Sequence, residues 1–394
     1  MFYIGIDIAK NNHEASIIDE NGSSLCKSIP FINTKEGCEK VIRTFNKYSI
    51  NNSNCVIGME ATGHYWLSVY SFFTALGFNL KVINPIQSNA FRKMYIRQVK
   101  NDSKDSFVIA QLMRFGEYAS SSMLQDNIMA IRLLSRYRVS LVVESSGIKN
   151  RVVALLHIVF PEYQQKKLFS DIFGVTSKEL LLKYSTPEEM LTVSTTKLAN
   201  FISKCSRGRL GREKAEEIKS NAKNSFGISI ALDSFSFQIK QMIEQLKFIE
   251  KQIDDLDEKI NILLKNINPV ITTIPGIGEA LGAAIIGEIG DISRFEHASK
   301  LVAYAGLDVK VNQSGQFKGT NMKISKKGSP YLRRALWIAA TDAANFDPIL
   351  SKYYQSLRAK GKHHLTAIGA VARKLCNIIF AVLKANKPYK APIS

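Results

Sequence analysis

Tyr3-Ile4-Gly5-Ile6-Asp7-Ile8-Ala9 and Cys55-Val56-Ile57-Gly58-Met59-Glu60 decide how the N-terminal part of this chain folds. Both are short apolar runs of strand length, and neither is long enough for a buried helix. Working outward, His13 to Ile18 with the turn at Asn21-Gly22 predicts a hairpin partner for the first run. Residues 35–48 predict a helix. The second run leads into an amphipathic helix from about Tyr65 to Leu76, which Gly77 ends, and Asn79-Leu80-Lys81-Val82-Ile83 returns as a strand before Asn84-Pro85. Strand, helix and strand at this spacing form a right-handed unit with parallel pairing. With the hairpin, an α/β domain built on a mixed sheet is expected over residues 1–125.

Beyond it the pattern turns helical. Residues 128–160 predict one long helix, and 161–235 a mixed, basic, mostly helical stretch. Ile239, Met242, Leu246, Ile249, Ile253, Leu256, Ile260 and Leu263 alternate spacings of three and four, a heptad seam. That seam serves either a coiled coil over 239–264 or an amphipathic helix packed on its own chain. A connector over 126–268 and a mainly helical C-terminal domain over 269–390 complete the division, the latter broken by an irregular Gly- and Lys-rich segment from Leu307 to Pro330.

Charge narrows the partners. The 394 residues hold 53 Lys and Arg against 34 Asp and Glu, a net charge of +19 that favours a polyanion. Five scattered cysteines, Cys26, Cys38, Cys55, Cys205 and Cys376, give no zinc spacing and no disulfide framework. The N-terminus reaches Asp7 before any signal-like apolar region, and Arg373 and Lys374 break the apolar stretch Ile368–Leu383. A cytoplasmic protein with no membrane span is expected.

Four acids stand out. Asp7 is read as lying inside the first strand, where an unpaired carboxylate is costly to bury. Glu60 ends the second. Asp102 and Asp105 open a helix, and their spacing of three puts both on one face. Such acids converging at a sheet end would hold Mg²⁺, with Mn²⁺ as the alternative, because hard oxygen ligands suit these ions. Singly each has a plainer use: Asp102 and Asp105 as cap and dipole partner, Glu60 as a cap, Asp7 as a lysine partner.

The C-terminal part carries Thr273-Ile274-Pro275-Gly276-Ile277-Gly278, then Ala280-Leu281-Gly282, the pattern of a helix–hairpin–helix. Gly276 and Gly278 permit a tight turn whose N–H groups can meet a DNA phosphate, against the alternative of a glycine-rich connection without a ligand. From Asp308 to Arg334 the bases are Lys310, Lys318, Lys323, Lys326, Lys327, Arg333 and Arg334, and Asp308 is the single acid. So local a bias reads as a backbone-contacting surface rather than a solvated loop. Ser314-Gly315, on its own, is only a turn.

Taken together, Tyr3 to Lys10, Met59-Glu60-Ala61-Thr62-Gly63, Val82-Ile83-Asn84-Pro85 and Lys100-Asn101-Asp102-Ser103-Lys104-Asp105 resemble the DEDD transposases, insertion-sequence recombinases related to the Piv DNA invertase. Ala303-Tyr304-Ala305-Gly306-Leu307, Ser314-Gly315 and Ile324 to Arg334 resemble their C-terminal domain. The resemblance covers about residues 1–115 and 265–390, and the middle aligns poorly. It implies a RuvC-like domain of the ribonuclease H fold, with Asp7, Glu60, Asp102 and Asp105 as the metal tetrad. It implies that Ser314 attacks DNA and forms a covalent phosphoserine link, with Ser325 and Ser329 ranking below it. It also implies donor and target DNA, a guide (bridge) RNA, and a homo-oligomeric dimer or tetramer. Two rival functions remain open: a water-using, Mg²⁺-dependent nuclease for structured DNA such as Holliday junctions, and a non-catalytic nucleic-acid-binding protein.

Overall fold

The computed structural model describes residues 1–60, 63–83, 85–93, 102–116, 126–267, 269–309, 313–314, 317–318 and 323–391, with the backbone alone for 86, 102, 103, 313, 314, 317 and 318. The described chain forms two compact units, Met1–Met123 and Leu124–Ser394.

The first unit is a five-stranded mixed sheet. Its strands are β1 (Phe2–Asp7), β2 (Asn12–Ile18), β3 (Ser24–Ile32), β4 (Cys55–Glu60) and β5 (Leu80–Ile83), in spatial order β3-β2-β1-β4-β5. β1 pairs antiparallel with β2 and parallel with β4, and β4 pairs parallel with β5, as the two apolar runs predict. Sequence reading missed β3. It is an edge strand with few buried residues, and Pro30 is tolerated there because an edge does not need every N–H.

Strand alternation sends each residue of β1 to one of two layers. Ile4 and Ile6, with Ile57 and Met59 of β4, are buried in the same core as Val41, Phe45, Val69 and Phe73. Those four come from α1 (Lys35–Lys47) and α2 (Trp66–Ala75). Tyr3, Gly5 and Asp7 take the opposite face. That face receives α4 (Asp102–Phe115), while α3 (Pro85–Arg92) links β5 towards it. Ile83, Ile109, Leu112 and Met113 form a small second core there.

The second unit is helical. α5 (Asp126–Val159) and α11 (Leu232–Asn266) are each about 50 Å long at 1.5 Å per residue. Between them lie α6 (Glu162–Gln165), α7 (Val175–Lys183), α8 (Pro187–Thr192), α9 (Thr195–Cys205) and α10 (Arg212–Lys223). Arg138 pairs with Asp257 at 2.5 Å and Lys149 with Glu250 at 3.6 Å, so the two long helices run antiparallel. The heptad seam finds its partner inside the chain. Ile239, Leu246 and Ile249 are buried against Leu141, Ile148 and Val152 of α5, while Ile260 joins a second cluster.

That second cluster is built from α12 (Glu279–Ile289), α13 (Ala298–Tyr304), α14 (Pro330–Phe346), α15 (Pro348–Ala359) and α16 (His364–Ala385). A two-residue ladder of β6 (Gln313–Ser314) and β7 (Phe317–Lys318) interrupts them. α16 is the one described helix long and apolar enough to cross a membrane. Its Ile368, Val371, Ala372, Leu375 and Ile379 are nonetheless core residues of this unit.

Candidate functional site

The acidic site starts with two glycines. Gly5 of β1 lies directly beside Gly58 of β4 and opposite Ser16 of β2, so the sheet surface is bare along that row. α4 settles into the gap. A Cβ on Gly5 would collide with the Ser106 carbonyl and the Ala110 N–H, and one on Gly58 would meet the Met113 side chain. A buried hydrogen bond of 2.7 Å between the Ser16 and Ser106 hydroxyls fixes α4 along its axis. Ser16 also donates to the Lys27 carbonyl at 2.8 Å.

Two residues further along each strand come the acids. Ile6 pairs with Met59, so Asp7 and Glu60 follow side by side at the same end of parallel strands, on the face that carries Gly5, Gly58 and α4. Asp7 is the last residue of β1 and half-buried, which corrects its reading as a residue inside the strand. Asp105, in the first turn of α4, is buried at 7% exposure. Arg92 at the end of α3 brings its Nε to 3.1 Å from Oδ1 of Asp105, an ion pair off the line of a good hydrogen bond. Asp102 is the first residue of α4, and its side chain lies outside the described residues. Among the described residues no three acids, histidines or cysteines group closely enough to hold an ion by themselves. The donor chemistry suits a hard divalent cation, being carboxylates from neighbouring elements, with the buried Asp105 paired here to Arg92.

Sequence reasoning missed two neighbours of this site. Glu14 of β2 stands directly opposite Asp7, with its carboxylate accepting from Ser28, and the hairpin register alone could have revealed it. Arg92 carries no sequence signal. Close by, His13 is 1% exposed, and burial pushes its imidazole below the ordinary value against a raising hydrogen bond with Asn33. Its Nδ1 accepts the Ala9 N–H at 3.2 Å and so secures the turn after Asp7.

The second unit holds the remaining candidates. Ser314 lies in β6, paired with Phe317, and Gln313 pairs with Lys318. The side chains of Ser314 and Lys318 lie outside the described residues, as do Lys310, Asn312, Gly315 and Gln316 entirely. Both alternative serines hold structural hydrogen bonds. The Ser325 hydroxyl donates to Asp308, and Ser329 caps α14 while donating to Glu288 at 2.7 Å. Lys323 lies between the ladder and α14, and Lys326 has a left-handed backbone with φ 53° beside exposed Lys327. Arg333 turns inward to the Ala305 carbonyl at 3.2 Å, whereas Arg334 makes no ion pair among the described residues.

The glycine hairpin has a packing role that its phosphate-binding reading does not include. Gly276 has φ +89°, and a Cβ there would lie 2.6 Å from the Ala343 nitrogen, so close packing on α14 accounts for it. Gly278 is open and precedes α12, but the cleft over the hairpin also carries Glu279 and Asp342. Two carboxylates oppose an anion there.

Similar proteins place the chain. A family model described as a transposase of the DEDD IS110 type matches residues 4–161, and one described as the transposase IS116/IS110/IS902 family matches 268–355. A pilin gene-inverting protein of Moraxella bovis is 24% identical over 98% of this chain and 97% of its own length. An insertion element IS110 43.6 kDa protein of Streptomyces coelicolor is 23% identical over 99% of this chain and 95% of its own. An insertion element IS116 44.8 kDa protein of Streptomyces clavuligerus is 24% identical over 98% and 95%. With an N-terminal and a C-terminal segment matched and relatives aligned end to end, the chain belongs to the IS110/IS116/IS902 family of transposases, enzymes that act on DNA.

Proposed function

We propose that this transposase is a site-specific recombinase that cuts and rejoins DNA strands through a ribonuclease H-like, RuvC-type carboxylate site and a serine nucleophile. One observation carries the reading of the first site: the Gly5–Gly58 gap docks α4 so that Asp7, Glu60 and Asp105 share one face and one end of the sheet. Asp7, Glu60, Asp102 and Asp105 are assigned as holders of Mg²⁺, with Mn²⁺ as a substitute. A bound divalent ion supplies Lewis-acid polarisation of the scissile phosphate and the attacking oxygen.

Ser314 is assigned the attack. Its Oγ forms a bond to phosphorus, the bond from phosphorus to one strand oxygen breaks, and the serine proton ends on that departing hydroxyl. Attack by the hydroxyl of a new strand reverses the step and restores the serine, so the phosphodiester energy is conserved. Serine is a poor nucleophile without a proton acceptor or a cation. Residues 313–318 contain no acid or histidine, and Asp308 is engaged by Ser325, so a divalent ion held by the four carboxylates would supply that polarisation.

The partners we assign are donor and target DNA, a guide RNA, and further copies in a dimer or tetramer. Action takes place in the cytoplasm. Lys318, Lys323, Lys326, Lys327 and Arg334 serve the nucleic-acid backbone, with Arg333 in a mainly structural place. The functional division follows three segments, a catalytic domain at 1–125, a connector at 126–268 and a serine-bearing domain at 269–390.

Denaturing gels of labelled DNA test both halves. Wild type with Mg²⁺ should give a covalent protein–DNA adduct, and Asp7→Asn or Ser314→Ala should give none while still binding DNA. Cleavage without adduct would favour the water-using nuclease, and full activity of Asp7→Asn or in excess chelator would remove the metal site.

A further inference from the structure

We infer that a cavity between α5, α12 and α14 is a binding site for a single unpaired nucleobase together with its phosphate. The cavity has a volume of about 270 Å³, below the roughly 300–1,000 Å³ of pockets for larger ligands, so it suits one ring system rather than a base pair. Its walls combine several kinds of group, and the one carboxylate among them, Glu288, is paired with Arg136. Val139, Val142, Leu281, Ala284 and Ile338 supply an apolar floor, and Tyr331 supplies an aromatic edge. Arg136, Arg138 and Arg334 supply three guanidinium groups. Flat rings with an anionic tail are what such a mixture accepts.

Charge and hydrogen bonding sharpen the assignment. Arg136 is held by Glu288 at 2.6 Å and lies 4.7 Å from the Tyr331 ring centre, while Arg138 is held by Asp257 at 2.5 Å. Arg334 has no such partner among the described residues, which leaves one uncompensated cation at the cavity for a phosphate. Ser135 gives the second, independent sign. It is 5% exposed, lines the cavity, and its hydroxyl has no hydrogen-bond partner. A helical serine ordinarily folds back onto the carbonyl four residues earlier, and this one does not. A buried hydroxyl without a partner is costly, and although it is shielded from solvent here, a small opening of the cavity wall would let a base edge satisfy it. Bases leave the stack most easily where they are mismatched or single-stranded, so the site selects strands that are open.

The inference rests on the proposed action on nucleic acid, and the test separates the two. Full-length protein is titrated into a duplex carrying 2-aminopurine opposite an abasic site and into the same duplex fully paired, each as DNA and as RNA. 2-Aminopurine nucleoside monophosphate is the fifth probe. Wild type should change the fluorescence of the unpaired probe saturably and bind it at least tenfold more tightly than the paired one, in DNA, RNA or both. Ser135→Val and Arg334→Gln should each bring that preference below threefold. If Ser135→Val loses the wild-type circular dichroism, cross-linking decides: 4-thiouracil at the unpaired position should label peptides containing Ser135 or Tyr331 in wild type. Equal binding of paired and unpaired probes, or cross-links confined to other peptides, overturns the cavity assignment and leaves DNA action standing. A response to the mononucleotide alone overturns the assignment to a strand. Binding to none of the duplexes overturns the proposed function and this inference with it.

Discussion

At the level of single residues, the position of Gly5 is the most exacting in the first unit. Any side chain there meets backbone atoms of α4, which cannot swing aside, whereas Gly58 faces the flexible Met113 side chain. Gly5→Ala should therefore cost about 3 kcal/mol or more of stability and Gly58→Ala about 1 kcal/mol, since overpacking a core costs about 1–3 kcal/mol. Urea denaturation followed by circular dichroism measures both, and equal costs would mean that α4 shifts freely. The acids stood out in the sequence because Asp7 and Glu60 interrupt or end apolar strands and Asp102 and Asp105 open a helix three residues apart, although Asp7 reads there as inside its strand. Why they share a face was not legible, because residues 5, 58 and 106 meet only through pairing far apart in the chain. Arg92 was invisible for the same reason: one basic residue among several gives no sign that it will stand beside Asp105. Gly276 adds a further point: its close approach to Ala343 of α14 could not be read from the glycine pattern alone.

Among elements, the crossing of α5 and α12 depends on Glu288. Burial would raise its carboxyl, but hydrogen bonds from Arg136 and Ser329 and the charges of Arg136 and Arg132 outweigh this and hold it below its ordinary value. A carboxyl lowered on folding contributes stability above its unfolded value, and that contribution is lost as pH falls through the folded one. Arg136→Ala leaves the carboxylate buried without its cation and should cost about 3 kcal/mol near neutral pH. The gap from wild type should shrink as the solution is acidified below the ordinary carboxyl value of 4.5. Thermal melts across pH 3 to 7 check the sign, and a gap widening in acid would contradict it. The long-helix pair yields a second test. A heptad shows which face is apolar and not what covers it; here α5 of the same chain does. Leu246→Ala should thus lower the unfolding free energy by about 2–5 kcal/mol. Light scattering should show the assembly unchanged; dissociation without lost stability would place the seam between copies.

For the whole molecule, charge is uneven. Residues 1–123 hold 13 Lys and Arg against 10 Asp and Glu, and residues 124–394 hold 40 against 24. The unit with the carboxylate site is nearly neutral, so the helical unit should supply most of the grip on nucleic acid. Affinity for duplex DNA should fall steeply between 50 and 200 mM salt, by about a thousandfold if six phosphates are contacted. Charge reversal in the helical unit, Lys326→Glu with Lys327→Glu, should flatten that slope, and charge reversal at Lys35 and Lys40 should not. Purification at moderate salt should retain a discrete RNA that is shed as salt rises; only heterogeneous nucleic acid, with activity surviving ribonuclease, would refute guidance.

The contact between Ser16 and Ser106 spans 90 positions of the chain. Its consequence is temporal. During synthesis the strands bearing Asp7 and Glu60 leave the ribosome first, and the helix bearing Asp105 follows some 45 residues after the second of them. At about 5–20 residues per second the chain spends seconds with the strand carboxylates made and Asp105 still to come, and such non-local pairing is slow to close. Chain order thus makes Asp105 the last of the three described carboxylates to reach the sheet face. Fragments ending before residue 102 should bind Mn²⁺ no better than bulk acidic peptide.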